Sequence, residues 1–192
     1  MNTNETKLAA RPEIVENYHD FVPPARFAKS LNELLEAVPP KYLVGLGTIL
    51  LTNQGALSRD ERRKRVFSRG HKVRLAERCG WYGRGTKSSP ATICLYVDNI
   101  LRSEESWMRL LPLTRHAALG TVLYHEIGHH IHAVHKPVFQ EKESVAEDWS
   151  DKLYVRFLWL HYWYLRPLIY PLKIMFEIFG YPKRPASRHF IK

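Results

Sequence analysis

His125 and His129 stand four residues apart in the stretch LYHEIGHHIHAVH, and Glu126 follows the first of them directly. On a helix this H-E-x-x-H spacing sets both imidazoles on one face, close enough to share a metal ion, with a carboxylate beside them. The chemistry such a trio can do is metal binding through neutral ring nitrogens and proton transfer through the acid. Three further histidines, His130, His132 and His135, crowd the same stretch. By type they read as polar-face residues of an exposed helix, solvated or hydrogen-bonded.

The elements that must position these residues are legible as patterns. Phe27, Leu31, Leu34, Leu35 and Val38 recur at helical spacing and stop at Pro39-Pro40, which predicts a first amphipathic helix. KYLVGLGTILLTN, from residue 41, reads as a strand. From Thr92 to Asp98, polar and apolar residues alternate as in a strand with one buried face. Leu119, Val122, Leu123, Ile127, Ile131 and Val134 then form the apolar stripe of the helix that holds the histidines, and Pro137 closes it. A second long helix follows from Gln140. Gly128, between the two histidines, is expected to let the neighbouring sheet pack close.

This order of strand, basic loop, strand, H-E-x-x-H helix and second helix resembles the minimal core of the zincin metallopeptidases over roughly residues 41–155. The resemblance implies an α+β fold with a small mixed sheet and a bound Zn2+ held by His125 and His129. It also implies that Glu126 is the general base, taking a proton from the metal-activated water that attacks a peptide carbonyl. The strand before the active-site helix, Thr92–Asp98, would be the sheet edge with which an extended peptide or protein substrate pairs. GWYG, Gly80 to Gly83, is similar to the glycine and aromatic residues that small members place ahead of that strand.

A third ligand remains to be chosen among three residues. His135 occupies the metzincin position, but His132 stands where that pattern needs a bending glycine. The gluzincins, another zincin group, use a glutamate of the following helix. Glu143 with Glu147 fits the smaller members, and Ala146, Trp149, Ser150 and Leu153 agree with the flanking pattern; Glu147 with Asp151 also fits. The flanking residues favour Glu143, with the other glutamate supporting a ligand from outside. In gluzincins a later Tyr or His often stabilises the oxyanion, and His161, Tyr154, Tyr162 and Tyr164 are of the right types. Helical packing explains all four equally well, so none is assigned.

Length and composition are those of one globular domain: 192 residues, 45% hydrophobic and 25% charged. The pattern suggests a flexible arm over 1–25, a domain over 26–180 and a disordered tail over 181–192. Cys79 and Cys94 alone make no disulfide framework. The polar start lacks the pattern of a secretory signal, which favours a cytoplasmic protein. Net charge is +10, concentrated in the Arg59–Arg78 segment, which reads as a solvated loop or short helix, or as a contact for nucleic acid. Arg156, His161, Arg166, Lys173, Pro167 and Pro171 interrupt the aromatic C-terminal stretch, so it offers no transmembrane span, although peripheral membrane contact is open to it. Two functions from different classes therefore stand: a zinc peptidase, or a basic nucleic-acid-binding or adaptor protein whose metal is structural or absent.

Overall fold

Phe27, Leu31, Leu34 and Leu35 fall on one face of helix α1 (Phe27–Glu36), and all four are buried. Burying side chains of this size contributes about 1.5–3 kcal/mol each, which ties α1 to the core far more strongly than helix propensity does. The computed structural model describes residues 11–68, 71–86, 88–102, 112–135 and 143–165. Their elements in chain order are β1 (Glu13–Asn17), α1, β2 (Leu46–Thr52), α2 (Arg59–Arg63), β3 (Arg65–Ser68), β4 (His71–Arg74), β5 (Gly80–Gly83), β6 (Ala91–Tyr96), α3 (Val97–Arg102), α4 (Pro112–His135) and α5 (Glu143–His161). The architecture is α+β.

Four strands form a mixed sheet in the order β1-β2-β6-β5. β1, β2 and β6 run parallel, and β5 is antiparallel to β6. β3 and β4 make a separate antiparallel hairpin. Ile49, Leu51, Ile93 and Leu95 are fully buried and meet Leu119, Leu123 and Ile127 of α4 in one core cluster. Tyr124 locks α4 to α1 by donating its hydroxyl to the Leu34 carbonyl at 2.9 Å.

Five expectations are corrected here. The strand before the histidine-bearing helix is not the sheet edge: β6 lies between β2 and β5, and among the described strands β1 and the short β5 are the edges. Cys94 and Tyr96 are buried along with Ile93 and Leu95, so β6 is covered on both faces despite its alternating sequence. It ends at Tyr96, where the chain turns into α3 and Asp98 accepts from the Gln54 amide. The arm over 1–25 is too long as drawn, because residues 13–17 pair with β2 from Glu13↔Thr48 to Asn17↔Thr52. The basic segment is not one loop or short helix; it contains α2 and the β3–β4 hairpin, and β5 follows it. The tail over 181–192 and the C-terminal aromatic stretch beyond Leu165 lie outside the described residues. Among the described residues, no helix is long and apolar enough to cross a membrane.

Candidate metal centre

α4 carries His125, Glu126 and His129 inward, with only 6%, 7% and 9% of their surfaces exposed. The two imidazoles converge, Nε2 to Nε2, at 3.1 Å. α5 begins at Glu143, whose Oε2 lies 3.2 Å from His125 Nε2 and 3.7 Å from His129 Nε2. A carboxylate in the first turn is also favoured by the positive end of its own helix. Zinc bonds of about 2.0–2.2 Å meeting at tetrahedral angles set donor atoms about 3.3–3.6 Å apart, and the observed 3.1, 3.2 and 3.7 Å bracket that range closely enough for one small cation. Converging lone pairs repel unless a cation or shared protons sit between them. The donor set of two imidazoles and one carboxylate therefore fits Zn2+.

What lets α5 come so near is Gly128. A Cβ built there would lie 2.6 Å from the Ala146 carbonyl oxygen and 2.8 Å from its Cα, both backbone atoms that cannot swing aside. The glycine thus makes room for a helix, not for the sheet as its place between the ligands suggested. Ala146, Ser150, Leu153 and Phe157 are the buried residues of α5, and Glu143 starts that same face one turn before Ala146.

The remaining sequence candidates are placed elsewhere. Glu147 is exposed on the next turn and lies outside the group of His125, His129 and Glu143. His135 is exposed at the end of α4, with its ring edge-on to Tyr42 at 5.9 Å, and is also outside the group. α4 continues through position 132 without the bend that would return His135 to His125 and His129. His161 stacks on Phe157 of its own helix at 4.5 Å, and Tyr154 packs near Tyr124 across the α4–α5 interface. Tyr162 is buried, and its hydroxyl lies 2.8 Å from His116 Nδ1. Tyr164 is exposed and packs beside Tyr162. None of the four lines the cleft at the centre.

His130 and His132 are not surface residues: they are 1% and 5% exposed. His130 Nε2 lies 3.1 Å from the Val44 carbonyl, which can only accept, so this nitrogen carries the proton. Nδ1 is then free to accept from the Tyr82 hydroxyl at 3.2 Å. Burial favours this neutral ring, holding its pKa below the ordinary imidazole value. The bonds tie edge strand β5 and the turn before β2 to α4 one residue beyond His129.

The cleft over the centre has a volume of about 280 Å3. It is lined by Thr121, Val122, His125, Glu126 and His129 of α4, by Glu143 of α5, by Gly80 of β5, and by Val73, Glu77, Arg78 and Cys79 from the hairpin and the turn after it. A Cβ on Gly80 would meet Val122 at 2.7 Å and Glu126 Oε1 at 3.0 Å, so the edge strand starts directly over the acid. Residue-type reasoning missed Val73, Glu77 and Arg78, and no spacing signals them, because only the fold of the hairpin brings them here. Asn99 was also missed. It is 7% exposed, and its amide nitrogen donates to the Ala76 and Arg78 carbonyls at 2.7 Å each, fixing that turn to α3.

No protein-family model, curated protein or solved structure matches the chain.

Proposed function

We propose that the chain is a zinc-dependent peptidase. The observation that supports this most strongly is the convergence of His125 Nε2, His129 Nε2 and Glu143 Oε2, whose ligand atoms all lie within 4.8 Å of one another in a cleft that also contains Glu126. His125, His129 and Glu143 would hold zinc, which would supply a Lewis acid for a substrate carbonyl and lower the pKa of water. Glu126 takes a proton from the attacking water and delivers it to the leaving amine. Its immediate sequence neighbour is a ligand, so the acid is held at a fixed distance from the reacting atoms.

Edge strand β5 supports an extended peptide as substrate. It pairs only with β6 among the described strands, so its outer backbone groups can take a further strand. The alternative of a purely structural metal fits less well. Structural zinc sites are closed by four protein ligands, whereas the group here has three among the described residues and opens on a cleft.

The test is cleavage of a mixed peptide library, followed by mass spectrometry, with the parent and Glu126→Gln each loaded with one zinc. The amide fills the same space but accepts no proton, so the variant retains zinc and fold and loses hydrolysis by about 10²-fold or more. Cleavage by the variant at the parental rate would remove Glu126 from the mechanism.

A further inference from the structure

The β3–β4 hairpin has two unlike faces. Val73 lines the cleft. Side chains alternate along a strand, so its neighbours Lys72 and Arg74 project to the opposite side. The register sets Arg65 directly across from Arg74, on that same outer face. All three cations are exposed. Like charges directly opposite weaken a strand pair, and an isolated two-stranded ribbon is marginal to begin with. The sequence from Lys64 to Arg74 contains no acid, and the Glu77 carboxylate that follows accepts from the Arg74 backbone amide at 3.4 Å. Across Arg59–Arg78 nine Lys and Arg face three acids, which places six of the chain's ten net positive charges in twenty residues. The ribbon's exit is nonetheless held in place, by the two Asn99 bonds to the Ala76 and Arg78 carbonyls.

We propose that this outer face binds the phosphate backbone of nucleic acid. Arginine is the cation that grips phosphate with a two-pronged donor, and it occupies both positions of the repelling pair. A two-stranded ribbon is also one of the two elements that the major groove admits. The inference stands on the hairpin alone and needs no peptidase activity. If both hold, nucleic acid binds behind the cleft wall and brings the peptidase to nucleoprotein substrates.

The experiment is fluorescence anisotropy of the full chain with a short labelled duplex DNA, the corresponding single-stranded DNA and an RNA of the same sequence, each over a series of salt concentrations. The expected result is binding that weakens with salt, the tightest arm showing which strand form is preferred. The triple variant Arg65→Gln, Lys72→Gln, Arg74→Gln should lose about tenfold or more in affinity. Its salt slope should flatten by about three, one for each lost cation. Arg74→Gln alone removes the repelling pair, so it should flatten the slope by about one while its melting temperature stays level or rises. The inference is overturned if none of the three nucleic acids binds, if both variants bind as the parent does, or if the same cations serve only vesicles of phosphatidylserine.

Discussion

Glu143 and Glu147 are the same residue type one helical turn apart, and only one can lie beside the histidines. Glu143 Oε2 sits 3.2 Å from His125 Nε2, whereas Glu147 is exposed. Removing a ligand leaves two imidazoles to hold the ion; an acid that supports a ligand from outside typically costs 10- to 100-fold. Zinc competition titrations should therefore show Glu143→Ala weakened well beyond that range, with Glu147→Ala and His135→Ala near the parent. If His135→Ala were the weakest, the gluzincin-like arrangement would be wrong. The motif residues were legible because they are local: four positions on one helix define one face whatever the rest of the chain does. The flanking pattern at Ala146, Trp149, Ser150 and Leu153 pointed to the glutamate that the fold sets beside the histidines, and Ala146 of that pattern is the residue that crosses Gly128.

Two contacts between elements decide whether the centre assembles. Gly128→Ala would drive a methyl group into the Ala146 backbone, forcing α4 and α5 apart at the turn that presents Glu143. We expect a stability loss of about 1–3 kcal/mol, as for other overpacked contacts, together with weaker zinc binding. Denaturant unfolding and the same zinc titration measure the two effects, and an unchanged zinc affinity would show that the crossing does not set the ligand geometry. The second contact is His116, which links α4 to Glu33 of α1 and to Tyr162, at 2.8 Å each. Burial depresses its pKa, more than Glu33 raises it; Arg115 and His161 also lower it. The unfolded chain therefore takes up this proton first. The resulting stability is complete above the unfolded value of about 6.5 and is lost as pH falls through the depressed folded one. His116→Gln should flatten the dependence of unfolding free energy on pH below neutrality, and parallel profiles for variant and parent would contradict the assignment.

At the scale of the whole molecule, the readable parts were those encoded by repetition: the stripe of α1, the run of β2 and the apolar face of α4 through Leu119, Leu123 and Ile127. β5 escaped because four residues, GWYG, are too few for a period to emerge, so the longer β6 passed for the edge. The burial of His130 was hidden for another reason. Its partners are Tyr82 and Val44, 48 and 86 positions away, and nothing local distinguishes it from a solvated histidine. The hairpin divides the basic segment between two roles. Replacing the exposed Arg62, Arg63 and Lys64 with Gln should leave turnover of a neutral peptide unchanged, whereas Arg78→Gln, in the cleft wall, should lower it. Steady-state kinetics on one neutral peptide separate them, and equal effects would erase the distinction.

The most direct test of the central claim is removal and return of the metal. Purified protein is stripped with a chelator and then titrated with zinc, while peptide-library cleavage and bound zinc are followed together. Cleavage should vanish on stripping and return in proportion to zinc, levelling at one ion per chain. Cleavage that persists in the stripped protein, or zinc that returns to one per chain with no cleavage of any peptide, would contradict a zinc peptidase built on His125, His129 and Glu143.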